Sequence, residues 1–130
     1  MAAHAIVLHN QKILLLLSDS NPKQEYPNDW TLIGGQEEPN ETPEQTFLRE
    51  FKEETTISPH RYQFLTEVPE GNSNLFLVEL SDGEARSVKV GNEGVELRFF
   101  TQEEFKQLPL YKRLEKKYPD YLNLFIDFLT

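Results

Sequence analysis

The sequence predicts a single domain that mixes strands and helices, on three observations. Short aliphatic runs alternate with turn chemistry. Two threonines open helices with a complete capping signature. No internal repeat, low-complexity segment or linker interrupts the 130 residues. That length suffices for one hydrophobic core and is too short for two. Hydrophobic content of 38% and charged content of 27% match an ordinary soluble globular chain, and nine Phe predict a core rich in aromatic rings.

Ala3 to Leu8 and Lys12 to Ser18 are separated by His9-Asn10-Gln11 and read as a hairpin or two adjacent strands. The second is nearly continuous in Ile and Leu, so both its faces should be buried. Residues 19–29, DSNPKQEYPND, form a polar loop. Trp30 to Ile33 is a short strand that Gly34-Gly35 ends, either as a simple tight turn or to let a ligand approach the backbone. Thr42-Pro43-Glu44-Gln45 starts a helix: Thr42 can N-cap, Pro43 suits the first position, and Gln45 completes a capping box. The helix should run to Thr55 or Thr56. At roughly 100° per residue, Phe47, Leu48 and Phe51 share an apolar arc, and Glu50, Glu53 and Glu54 the adjacent one. Gln45, Arg49 and Lys52 take the remaining side. Pro59 closes this region.

Residues 61–68 and 75–80 are strands joined by a turn at Gly71 to Asn74. Glu84 to Val90 is a weaker alternating strand, and Val95 to Phe100 another. Thr101 to Glu104 is a second capping box, opening a short helix with Phe105 and Leu108 inward. Pro109 to Tyr118 carries a basic patch of Lys112, Arg113, Lys116 and Lys117. Tyr121, Leu122, Leu124, Phe125, Phe128 and Leu129 line a last amphipathic helix that packs back on the sheet.

Residues 34–57 hold seven Glu against Arg49 and Lys52, which is −5 of a formal net charge of −9. Glu50, Glu53 and Glu54 crowd the last turns of the helix, where the dipole is already negative. They also repel one another at i,i+3 and i,i+4, by a few tenths of a kcal/mol per pair. A sequence that accepts both costs needs these carboxylates for a purpose, and a divalent cation is the first candidate. The acidic balance argues against broad binding to long nucleic acid, which needs clustered Lys and Arg. A small anionic substrate is still compatible if metal ions neutralise it locally. The absence of Cys excludes disulfides, thiolate nucleophiles and Cys-ligated zinc. The longest apolar run near the N-terminus, Ile13 to Leu17, is far short of the ~18 residues of a membrane span, and no basic region precedes it. A cytoplasmic location without membrane association is the default expectation.

From Gly35 onward the spacing becomes specific. Gly35, five residues, Glu41, seven residues, then Arg49-Glu50-Phe51-Lys52-Glu53-Glu54-Thr55-Thr56-Ile57 resembles the Nudix box. Six of the seven fixed residues of that box are present: Gly35, Glu41, Arg49, Glu50, Glu53 and Glu54. The seventh, a Gly after the Glu pair, is Thr56. Ile33 stands where the family often has Pro, and Phe51 is bulkier than the usual aliphatic. A β-branched residue adopts the left-handed conformation of that Gly poorly, so the loop after the helix should differ or carry strain. More loosely, the resemblance extends to Trp30 to Gly35 and to Glu96-Leu97-Arg98-Phe99-Phe100 with its capped helix.

The resemblance implies one Nudix-like domain over residues 1–130, an α/β/α sandwich with a mixed β-sheet. It implies hydrolysis of the phosphoanhydride bond of a nucleoside diphosphate linked to another moiety. The small domain favours a compact, nucleotide-derived substrate such as a nucleoside triphosphate. It also implies Mg²⁺ (or Mn²⁺) held by Glu50, Glu53 and Glu54 with the Gly35 carbonyl, and Arg49 and Glu41 orienting the carboxylates. The general base comes either from the box, as Glu50 or Glu53, or from a later loop, where Glu93 is the first candidate and Glu96 the second. Tyr26 and Phe76 are candidates to stack on a base, against ordinary packing. The basic patch is a candidate to meet phosphate, against a solvated helix. His4 and His9 lack metal-ligand spacing and are assigned no catalytic part. The alternative reading is a non-catalytic Nudix-like module that binds a nucleotide or a protein, although such a module would be expected to lose box carboxylates. Monomer and homodimer are both open.

Overall fold

Two strands, β1 (Ala2–His9) and β2 (Lys12–Leu17), form the expected hairpin across Asn10-Gln11 in the computed structural model. The structure describes residues 1–69, 72–92, 94–117, 119 and 122–129, with Lys117, Leu122, Leu124 and Phe125 by backbone alone. Asn10 and Gln11 have φ of 50° and 60°, the doubly left-handed turn that matches strand twist. Beyond the pairs Leu8↔Ile13 and His9↔Lys12 the two strands part.

The segment after the 19–29 loop fills this fork. β3 (Trp30–Thr31) pairs with Leu17 and Leu16 of β2, the chain bends at Leu32, and β4 (Ile33–Gln36) pairs antiparallel with Ala5 to Ala2 of β1. Gly34 and Gly35 therefore do not end a strand in a turn; they lie inside β4, opposite His4 and Ala3. Gly34 sits at φ 147°, and a Cβ there would fall 2.2 Å from the Ala3 carbonyl oxygen, so the pairing itself demands glycine. On the other edge of β1 runs β6 (Ser73–Glu79), parallel from Ala2↔Ser73 to Leu8↔Glu79, with β5 (Tyr62–Val68) antiparallel beyond it. β7 (Glu96–Phe100) pairs antiparallel with β2. Among the described residues the sheet has seven strands, and the one parallel pair makes it mixed.

Helices cover both faces. Phe47 and Phe51 of α1 (Pro43–Thr55) pack on Ala3, Ala5, Val7, Leu14, Leu16, Phe76 and Val78, with α2 (Asp82–Ser87) joining that layer through Ala85. Opposite, Ile6, Ile13, Leu15, Leu75 and Leu77 meet Phe105 of α3 (Gln102–Lys106), and Leu110 and Leu114 of α4 (Pro109–Lys117). Phe128 and Leu129, just after α5 (Leu122–Asp127), pack on the same core. Alternate side chains of one strand thus feed two cores, which is why the Ile-Leu run of β2 is buried on both faces. The result is the expected α/β/α sandwich.

Two further expectations change, and one open alternative closes. Residues 84–87 lie in a helix rather than a strand, because Ser81 caps it: the Ser81 hydroxyl accepts from the Glu84 N–H and the Glu84 carboxylate accepts from the Ser81 N–H. That local box outweighs the alternation of EARSVKV. Phe76 is 2% exposed and stacks on Phe47 with ring centres 4.5 Å apart, so it is core and cannot serve a base. Ser73 and Asn74 begin β6 instead of forming a turn. Gly71, Tyr118 and Tyr121 lie outside the described residues. Among those described, no helix is long and apolar enough to cross a membrane.

Candidate active site

The helix α1 starts as its sequence dictates. Thr42 Oγ1 accepts from the Gln45 N–H at 3.2 Å, Gln45 Oε1 accepts from the Thr42 N–H at 2.9 Å, and Pro43 takes the first position. Burial of Phe47 and Phe51 then fixes its rotation. Glu54, 6% exposed, accepts a hydrogen bond from the Gly34 N–H of β4 at 2.7 Å. Glu50 lies across Gly35, where a Cβ would stand 2.6 Å from the Glu50 carboxyl carbon. The missing side chain at residue 35 is thus the room that carboxylate occupies. Glu53, with a side chain 43% exposed, faces outward.

Arg49 ties the acids together. Its Nε and Nη2 donate to the two Glu41 oxygens at 2.7 and 3.0 Å, a bidentate pair. Its Nη1 donates to Glu50 at 2.8 Å and reaches Glu53 at 3.4 Å, and Nη2 also donates to the Gln36 carbonyl at 2.9 Å. The Arg49 bond above all, then the Glu38 N–H, holds the Glu41 carboxyl down to about 2 from an ordinary 4.5. The same bond to Glu41 is the main reason the guanidinium holds its proton even more firmly than usual. The described hydrogen bonds of Arg49 thus go to Glu41, Glu50, Glu53 and the Gln36 carbonyl.

The acidic end of α1 is offset by backbone. The N–H groups of Lys89, Gly91 and Asn92 donate to the carbonyls of Thr55, Glu54 and Glu53 at 3.1, 3.2 and 3.2 Å. They satisfy acceptors that a helix leaves open and set three positive dipole ends against its negative pole. Thr56 closes the helix in the left-handed conformation, φ 69° and ψ 0°, with its N–H on the Lys52 carbonyl. Of the two outcomes expected for Thr56, the loop keeps the glycine-like geometry and carries the strain.

A cavity of about 410 Å³ opens at the fork, lined by Glu50, Glu54, Gly34 and Gly35 on one side and by Tyr26 and Arg113 on another, over Leu32, Val68, Leu75, Leu110 and Leu114. Apolar side chains floor it and polar ones surround them, Gln24 and Glu25 included, so it can take a small molecule with both polar and apolar parts. His4, given no part from sequence, lines it; its Nδ1 lies 2.9 Å from the Ser73 hydroxyl and its ring abuts Gly34. Arg113 is no solvated base either. Its Nη1 donates to Asp29 at 2.6 Å, its Nη2 to the Trp30 carbonyl at 3.2 Å, and its guanidinium carbon stands 3.8 Å from the Tyr26 ring centre. Lys112 and Lys116 are exposed, and the Lys117 side chain is outside the described residues. A lone imidazole in the apolar run AAHAIVL is the one sequence signal for His4; Arg113 has none. Glu96 pairs with Arg98 at 2.9 Å and is not among the cavity-lining residues, and His9 contacts Leu80 and Asp82 instead. Glu93 lies outside the described residues.

The donor set fits a hard divalent cation in kind: Glu50 and Glu54 reach one cavity beside the Gly34-Gly35 backbone, all offering oxygen. Among the described residues no three His, Asp or Glu side chains converge as they stand to hold a metal. Glu53, the third carboxylate of α1's last turns, is the one nearest solvent, and its described contact is the long 3.4 Å one to Arg49.

A family model described as a NUDIX domain matches residues 1–121. No curated protein matches. Similar solved structures include the Nudix domain of Shewanella oneidensis NrtR complexed with ADP-ribose, 20% identical, TM-score 0.68, covering 93% of this chain and 86% of that one. A C. elegans Ap4A hydrolase is 22% identical with TM-score 0.65, covering 99% and 98%. A MutT Nudix hydrolase from Burkholderia pseudomallei is 19% identical with TM-score 0.67, covering 99% and 96%. At these identities the likeness is one of fold.

Proposed function

The chain belongs to the Nudix hydrolase family, and on that premise we propose that it is a metal-dependent pyrophosphohydrolase acting on a compact nucleoside diphosphate derivative, a nucleoside triphosphate being the favoured case. The observation that carries this reading is the opening of Glu50 and Glu54 into one cavity beside Gly34 and Gly35, with Arg49 bonded to Glu50 and Glu41. Its volume of about 410 Å³ suits a small ligand. Structural neighbours named for ADP-ribose and Ap4A support a nucleotide-derived substrate.

Glu50, Glu53, Glu54 and the Gly35 carbonyl would hold Mg²⁺ or Mn²⁺. When bound, such an ion neutralises phosphate oxygens and acidifies a water. The chain's own groups do the rest. Arg49 keeps the Glu50 carboxylate oriented, and the Gly34 N–H does the same for Glu54. Bonding Glu41 to Arg49 spares the guanidinium from competing for substrate phosphate. Glu53, half-buried and loosely held, is assigned the proton of the attacking water, with Glu93 the candidate beyond the box.

The test is incubation with nucleoside triphosphates, ADP-ribose and Ap4A, with Mg²⁺ and after chelation, for wild type and for Glu53→Gln. Cleavage that needs Mg²⁺ is expected, read as a nucleoside monophosphate with pyrophosphate from a triphosphate, AMP with ribose 5-phosphate from ADP-ribose, or AMP with ATP from Ap4A, and with a loss of about a hundredfold or more in the variant, the size of a general-base contribution. No product from any compound would favour the binding-module reading. Full turnover by Glu53→Gln would move the base to Glu93, which Glu93→Gln then checks.

A further inference from the structure

The carboxylates reach the cavity from the α1 layer, but a second wall comes from the opposite layer, and the hydrolytic reading leaves it without a task. Arg113 of α4 and Gln24, Glu25 and Tyr26 of the 19–29 loop line that wall. Arg113 reaches Asp29 at 2.6 Å, the Trp30 carbonyl at 3.2 Å and the Tyr26 ring at 3.8 Å, and the Ser18 hydroxyl donates to the Tyr26 carbonyl. The Arg113 side chain is 18% exposed, and its charge is matched by Asp29. A guanidinium neutralised in this way is a poor phosphate ligand. A flat guanidinium on an aromatic ring is a good stacking surface for another planar group. The cavity floor of Leu32, Leu75, Leu110 and Leu114 is equally unsuited to phosphate.

We propose that Arg113, clasped to Asp29 and Tyr26, is a specificity-determining residue: it holds the 19–29 loop as a cavity wall and selects substrates bearing a planar heteroaromatic base. This rests on the pyrophosphohydrolase reading for its substrate class, while its contacts stand independently. Lysine cannot replace it, because an ammonium lacks the fork that spans Asp29 and the Trp30 carbonyl and the plane that lies on Tyr26.

The probes are ATP and, as the base-free control, inorganic tripolyphosphate, both with Mg²⁺. For Arg113→Met, kcat/KM on ATP should fall at least tenfold relative to tripolyphosphate, mainly through KM, and Arg113→Lys should not rescue it. Tyr26→Leu, which leaves the ion pair in place, should shift the same ratio in the same direction. Calorimetric binding of ATP to each variant reads the same preference without turnover. If wild type turns over neither compound but Arg113→Met binds ATP at least tenfold more weakly than wild type, the hydrolase reading fails and the clasp stands. An unchanged ATP-to-tripolyphosphate ratio, equal loss on both probes, rescue by lysine, or no ATP binding by wild type would each overturn the proposal.

Discussion

Replacing Thr56 with glycine should make the protein more stable, although it deletes a side chain and one hydrogen bond. Thr56 is held at φ 69° and ψ 0°. For a β-branched residue that conformation costs about 1–2 kcal/mol. Glycine escapes this cost but loses about 0.5–1 kcal/mol more chain entropy on folding. The side chain is exposed, and its hydroxyl bonds only the neighbouring Thr55 carbonyl among the contacts described, so little packing is lost. The balance favours glycine by about 0.5–1 kcal/mol. In a chain of 130 residues, with about 2.1 cal/mol/K per residue of unfolding entropy, that is a rise of about 2–4 °C in Tm. Asparagine tolerates the left-handed region without glycine's entropy cost, so Thr56→Asn should gain a similar amount. Urea unfolding at constant m-value and thermal melts measure both. If both variants match or fall below wild type, the helix end stores no strain and the reasoning is wrong.

Arg49→Met should lower stability at neutral pH by about 2 kcal/mol, or about 7 °C, since it leaves Glu41 and Glu50 without their shared cation; this is less than a fully buried pair would cost because the cluster borders solvent. The difference should depend on pH. The Glu41 carboxyl is held below its ordinary value, at about 2, so the stabilisation from Arg49 is complete above about pH 4.5 and is lost as the pH falls toward 2. The gap between wild type and variant should therefore narrow in urea unfolding as the pH falls from 4.5 through 2, and a gap that stays constant across that range would contradict the assignment. Gly91→Ala should cost about 2 kcal/mol, because the new Cβ would fall 1.8 Å from the Glu53 carbonyl oxygen and push the capping segment off α1; a melt unchanged from wild type would argue against that cap.

What could be read in advance was local. The capping boxes at Thr42 and Thr101 involve residues three apart, and the helical rotation that separates Phe47 and Phe51 from the acids follows from spacing alone. The box at Ser81 was equally local, yet the alternation of EARSVKV concealed it. The glycine pair misled for a different reason. Whether Gly34 turns or pairs depends on β1, which lies some thirty residues earlier and opens to receive it. The cavity was the least legible part. Arg113 meets Asp29 across 84 residues of sequence, and His4 meets Ser73 across 69. Nothing about either residue's neighbours in the chain announces the partner.

The 19–29 loop leaves and rejoins the sheet at one point, with the Ser18 N–H on the Asp29 carbonyl at 2.9 Å and Leu17 paired to Trp30. It is therefore an excursion with a closed base, and residues could be added or exchanged within it without shifting either strand. Glu50, Glu53, Glu54 and the glycines beside them lie on the other side of that closure, in residues 34–57, while Glu25 lines the cavity from the loop itself. On the proposed reading, reactivity and substrate choice would be carried by separable parts of the chain. New loops could be grafted between Ser18 and Asp29, with a matching change at residue 113, as a route to variants that keep the chemistry and change the substrate.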